Sequence, residues 1–220
     1  MVSKIALEEH FLCPGFETYW AATVSGVAPD ALQRITARLS DFGDSRLEAM
    51  DKAGIAKSVL SLAGPGVQVE PDRATAVRMA AGANDYLAKE LQKGRDRYAG
   101  FGHLAMQDAN AAADELERCM RDLGFSGAMI NGHTNGQYLD HPSLAPFWER
   151  AAALRAPIYV HQTCQASDCK IGWRWDLTSE PLSQERIVSA GTAVGLARAL
   201  QPRTLERGFC GAFGKPLVTP

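Results

Sequence analysis

Glu8 and His10, in the run Lys4-Ile5-Ala6-Leu7-Glu8-Glu9-His10-Phe11, are the side chains best spaced for chemistry in this chain. Residues two apart on a strand share a face, so an apolar strand ending in Glu-x-His aims a carboxylate and an imidazole at one point. That pair is half of a metal site. The competing reading is an N-terminal strand whose last residues are polar because they reach solvent. His161 adds weight to the first reading. It directly follows the β-rich run Ile158-Tyr159-Val160 and so ends a strand as His10 does, and neutral imidazole is a common ligand for zinc and related ions.

Such residues need a scaffold that gathers strand ends, and the chain alternates accordingly. Short apolar runs predict strands at Lys4–Phe11, Lys57–Ala63, Tyr98–Leu104, Gly127–Asn131 and Pro157–His161. Amphipathic stretches predict helices at about Asp44–Ala53, Asp72–Lys93, Ala109–Leu123 and Ser143–Ala153. Strand then helix, repeated, predicts a parallel sheet with helices packed on it. Asp108 is suited to cap the third of these helices, and Gly54 and Gly124 stand where helices should stop. The segment Phe16–Leu39, with Tyr19 and Trp20, interrupts the alternation and reads as a loop over the mouth of the site.

Composition bounds the rest. With 220 residues, 46% hydrophobic and 22% charged, the chain can bury one sizeable core, and one domain is the expectation. A formal net charge of −2 with no Lys/Arg cluster removes the basis for nucleic-acid binding and favours a small-molecule partner. No run approaches 18 apolar residues, and Glu8 and Glu9 break the early apolar stretch, so neither a membrane span nor a signal peptide is expected. Five scattered cysteines, Cys13, Cys119, Cys164, Cys169 and Cys210, fit a reducing, cytoplasmic setting. His161, Cys164 and Cys169 lack the two close-paired ligand sets of a structural zinc site.

Polar residues collect at the carboxyl ends of the expected strands, as they would at a barrel active site. Besides Glu8, His10 and His161 these are His103 and Asn131. His103, between Gly102 and Leu104, reads as a packed or solvent-edge histidine. His133 and His141 read as loop residues at the surface, with His141 helping to start a helix before Pro142.

Six segments in order carry a family resemblance. They are Ile5-Ala6-Leu7-Glu8-Glu9-His10-Phe11, Ser61-Leu62-Ala63-Gly64-Pro65-Gly66-Val67-Gln68, Ala83-Asn84-Asp85, Gly124-Phe125-Ser126-Gly127-Ala128-Met129-Ile130-Asn131-Gly132, Pro146-Phe147-Trp148 and Pro157-Ile158-Tyr159-Val160-His161. Over residues 4–161 the chain resembles the metal-dependent nonoxidative decarboxylases of the amidohydrolase superfamily, closest to those acting on γ-resorcylate (2,6-dihydroxybenzoate) and 2,3-dihydroxybenzoate. The resemblance implies a (β/α)8 TIM barrel holding a divalent metal, Mn²⁺ or Zn²⁺. It implies Glu8, His10 and His161 as metal ligands, with a late Asp as fourth ligand and ring proton donor, and Asn131 near the substrate. It also implies a small aromatic carboxylate substrate and a homo-oligomer for the full-length family.

The resemblance ends at His161. A βα unit takes about 30 residues, so three more would need about 90. Residues 162–220 carry one helical stretch, Ile187–Leu200, and a Gly- and Pro-rich end from Pro202. The expectation is therefore a barrel truncated to about five βα units over 1–161, followed by an atypical tail at 162–220, read as a replaced C-terminus from a frameshift or alternative transcript in preference to a divergent family end. Asp168 and Asp176 are weak substitutes for the late Asp. The reading is a carboxy-lyase for a hydroxylated aromatic acid, impaired in this chain. Two others stay open: an inert partial barrel that associates with a partner, and a metal-dependent hydrolase of the same superfamily.

Overall fold

The computed structural model describes residues 4–94 and 96–161. Five parallel strands form one sheet: β1 (Lys4–Phe11), β2 (Ile55–Leu62), β3 (Tyr98–His103), β4 (Gly127–Asn131) and, after a small hairpin, β7 (Ile158–His161). They lie side by side in that order, each joined to the next by helical crossovers. The crossover helices are α3 (Asp44–Ala53), α4 (Arg73–Leu91), α5 (Ala109–Arg121) and α6 (Ala145–Leu154). All nine elements match the sequence expectation to within about two residues at most ends, the precision at which helix ends are defined.

Local chemistry explains the ends. Asp72 accepts from the Thr75 amide and Asp108 from those of Asn110 and Ala111, so each satisfies first-turn donors of its helix. Gly54 ends α3 in the left-handed conformation at φ 67°.

The insertion after β1 is more ordered than a loop. It folds as α1 (Glu17–Ala21) and α2 (Pro29–Leu39). Trp20 and Phe16 are buried, whereas α2 buries none of its residues. A two-residue hairpin, β5 (His133–Thr134) with β6 (Gln137–Tyr138), forms where only a loop was expected.

The sheet divides two apolar layers. On its outer face Leu60, Leu62 and Tyr98 pack with Ala76, Ala80, Ala83 and Leu87, the inward stripe of α4. On its inner face Val59, Phe101 and Met129 cluster with Ala99 and Tyr159. Five flat strands would hold their edge members about 19 Å apart. Here β1 and β7, at opposite edges, touch through side chains, so the sheet is curled into half a barrel.

The expected helix at Ile187–Leu200, the atypical tail and the substitutes Asp168 and Asp176 lie outside the described residues. Among the described residues no helix is long and apolar enough to cross a membrane.

Candidate metal centre

Two pairs of side chains face each other across the open side of the curl. Glu8 and His10 come from β1, Tyr159 and His161 from β7, and each pair is spaced by two residues so that both members share the inner face. The His10 and His161 rings stand edge to face with centroids 5.4 Å apart. The Tyr159 hydroxyl donates to Glu8 Oε1. The structure thus joins the two histidines directly, and engages Glu8 with Tyr159 beside them. Among the described residues, no three His, Cys, Asp or Glu side chains close into a metal-holding group.

The donor set nevertheless suits a divalent ion. His10 pairs in register with Ser61, and its Nδ1 lies 3.0 Å from Ser61 Oγ, which leaves Nε2 as the nitrogen available to a ligand. Burial and the neighbouring His161 hold the His10 pKa below the ordinary histidine value, against an opposing pull from Glu8, which favours the neutral ring. Neutral imidazole nitrogen and carboxylate oxygen are the ligand types zinc and manganese accept. Arg46 secures this strand end from behind. Its guanidinium donates to the carbonyls of His10, Asp41 and Arg38 and approaches Glu9 at 3.8 Å.

Asn131 lies in register with His161 and is buried. Its Nδ2 donates to Gln68 Oε1 and to the Pro65 carbonyl, and its backbone N–H also reaches Gln68 Oε1. Gln68 Nε2 donates in turn to Thr134 Oγ1 at 2.6 Å. Asn131 Oδ1 is buried with no protein partner among the described residues, an acceptor left over by an otherwise satisfied network.

The remaining histidines have structural roles. His103 is buried, its Nε2 accepts the Val67 amide, and Asn84 brackets its backbone by accepting from His103 N and donating to His103 O. His141 Nδ1 accepts from Ser143 N at the start of a short helical turn. His133 is half-buried in the hairpin and meets the Tyr138 ring edge-on, rather than lying free at the surface.

Sequence reasoning missed Ser61, Gln68, Arg46 and Tyr159. Tyr159 had a usable signal, since it lies two residues before His161 on the same strand. Ser61 and Gln68 sit within segments that carried the resemblance, but only strand register and a loop turning back over β4 reveal what they touch.

Comparison with known proteins places the chain in a family. The amidohydrolase family profile matches residues 19–207. The chain belongs to the amidohydrolase family. The matched region begins after β1, so Glu8 and His10 precede it. This amidohydrolase is 44% identical over 167 residues to γ-resorcylate decarboxylase of Rhizobium sp. strain MTP-10005, covering 73% of this chain and 50% of that protein. It is also 37% identical over 166 residues to the decarboxylase orsB of Emericella nidulans, across 72% of this chain and 46% of that one. The crystal structure of a 2,6-dihydroxybenzoate decarboxylase complexed with 2,6-dihydroxybenzoate superimposes with TM-score 0.77 at 40% identity, over 92% of this chain and 65% of that chain. A dihydroxybenzoic acid decarboxylase from Polaromonas sp. JS666, with bound manganese and the inhibitor 2-nitroresorcinol, gives TM-score 0.68 at 36% identity over 88% and 55% of the two chains. The chain spans about half the length of the curated relatives it matches. The five-stranded half barrel is thus the corresponding part of the TIM-barrel fold of these enzymes.

Proposed function

We propose that this chain carries the metal- and substrate-facing part of a carboxy-lyase site for hydroxylated aromatic acids, with Glu8, His10 and His161 as ligands of a divalent ion, Mn²⁺ or Zn²⁺. The observation that carries this reading is the facing of Glu8 and His10 by Tyr159 and His161 at the carboxyl ends of two strands. The likeness to decarboxylases of dihydroxybenzoates, one of them solved with manganese, supports the substrate class and the metal.

When bound, the ion supplies a Lewis acid that neutralises an anionic carboxylate and neighbouring phenolate. The chain's own residues do the rest. Ser61 keeps His10 Nδ1 engaged so that Nε2 is presented to the ligand. The Gln68 amide fixes Asn131, whose Oδ1 is left as an acceptor without a partner among the described residues at the end of β4. Phe101, Met129 and Val59 form a buried apolar floor beneath the site.

Decarboxylation of an aromatic acid leaves electron density on ring carbon, so an acid must protonate that carbon. β2, β3, β4 and β7 contain no Asp or Glu, and Glu9 turns outward to Arg46. With no second carboxylic acid on the inner-face strands among the described residues, turnover should fall by about 10²–10⁴-fold. We therefore read the activity of this chain as impaired.

The test is Mn²⁺ binding and CO2 release from 2,6-dihydroxybenzoate, with Glu8→Ala as control. Mn²⁺ binding strongly weakened but still measurable in the control, with CO2 release near background, is the expected result. Turnover near 1 s⁻¹ in the parent chain would show that residues beyond 161 supply the acid.

A second reading rests on the sheet edges. Among the described residues nothing pairs with the outer edges of β1 and β7, and Ile5 and Leu7 on β1 are 62% and 44% exposed. Open apolar edges favour association. A partial barrel that acts by associating with a partner predicts no Mn²⁺ binding and a mass above the monomer in sedimentation.

A further inference from the structure

Glu8 is the least fixed of the three candidate ligands. It lies on an edge strand, is exposed, and sits in an irregular stretch of β1, because the pairing jumps from Ala6 opposite Ser58 to Glu9 opposite Leu60. Two residues of β1, Leu7 and Glu8, therefore face one of β2, Val59. A bulge of this kind re-aims a side chain and removes its one-to-one partner. A glutamate with three free torsions on such a backbone has no reason of its own to point at His10.

Tyr159 is the opposite case. Its ring stacks on Phe101 at an interplanar angle of 18° and 6.1 Å between centroids, within the inner cluster of Val59, Phe101 and Met129. The fixed ring carries a hydroxyl that donates to Glu8 Oε1 from the far edge of the sheet. Tyr159 is also two residues from His161, so one strand sets both the hydroxyl and the imidazole.

We propose that Tyr159 is the positioning residue for Glu8: its hydroxyl holds Oε1 so that Oε2 is presented beside His10 and His161. The proposal rests on the metal reading above. The Tyr159 hydroxyl is the donor and the Glu8 carboxylate the acceptor in that bond. Its role is to orient a carboxylate from behind, as outer partners of metal ligands do.

The experiment is a double-mutant cycle on Mn²⁺ affinity, using the full chain, Tyr159→Phe, Glu8→Ala and the double variant, with the metal-free unfolding midpoint measured for each. Phenylalanine keeps the stack on Phe101 and removes only the hydroxyl. The expected result is a loss of about 10-fold or more in Mn²⁺ affinity for Tyr159→Phe, the usual effect of losing an outer partner. No further loss should appear when Tyr159→Phe is added to Glu8→Ala, and the metal-free midpoint should not move. If Glu8→Ala weakens Mn²⁺ but Tyr159→Phe binds as the parent does, the positioning role is overturned and the metal reading stands. If Tyr159→Phe costs as much with Glu8 absent as with it present, Tyr159 acts through the fold and the proposal fails. A parent chain that binds no Mn²⁺, or a Glu8→Ala variant that binds it unchanged, removes both readings.

Discussion

Ser61 Oγ and His10 Nδ1 lie 3.0 Å apart across the register of the first two strands. One hydroxyl on a neighbouring strand thereby fixes the orientation of a ring whose other nitrogen is the candidate ligand atom. Ser61→Ala should lower Mn²⁺ affinity by about 10-fold with little change in secondary structure, because outer partners of metal-binding histidines typically matter by that amount. Isothermal titration with Mn²⁺, beside far-ultraviolet circular dichroism, checks it. Unchanged affinity would mean that His10 is oriented by its strand alone.

Arg46 should be among the costliest polar side chains to remove. Its side chain is 9% exposed and its guanidinium serves three carbonyls while lying 5.8 Å from the Phe42 ring centroid. Arg46→Met should lose about 1–3 kcal/mol, from two part-buried carbonyls that lose this donor. Arg46→Lys should recover less than half of that, since one ammonium cannot replace a planar fork. Urea midpoints of the three proteins decide the matter, and a lysine variant as stable as the parent would contradict it.

His103 predicts a pH dependence with a definite sign. Burial lowers its pKa from 6.5 to about 4 in the folded chain. Between these values the unfolded chain takes up a proton that the folded chain does not, so protonation favours unfolding. Stability is therefore fully present above pH 6.5 and is lost as pH falls towards 4, by about 3 kcal/mol in all. His10, also lowered, adds in the same direction. His103→Gln should flatten most of this slope in urea titrations run at several pH values, while keeping an acceptor for the Val67 amide. A slope as steep in the variant as in the parent would assign it to another group.

Gly66 is required by the same histidine. It adopts φ 57°, and a Cβ there would lie 2.3 Å from His103 Nε2. Gly66→Ala must therefore shift the ring, break the bond from the Val67 amide, or distort the turn, at a cost of about 1–3 kcal/mol. Thermal unfolding measures the loss. Crystallography of the variant would show which contact gives way, and a variant as stable as the parent would show that the loop moves freely.

The sequence by itself determined the elements and the family. β1 and β4 run over the residues expected of them, Asp108 caps α5 as read, and the alternation already specified a parallel sheet. These features are local, set by the two- and 3.6-residue periods and by cap chemistry within one turn. The polar residues at the strand ends were equally legible, because a parallel βα fold delivers strand ends to one side whatever its curvature. Tertiary structure alone decided what those residues touch. The helix α1 forms under contacts of Phe16 and Trp20 that no local pattern announces. Ser61 meets His10 through register, and Gln68 meets Asn131 through a turn closing over another strand. Tyr159 reaches Glu8, 151 residues away in the chain, only because the sheet curls. Strand period says which face a side chain takes, but the twist and curl summed over five strands say which opposite edge it meets.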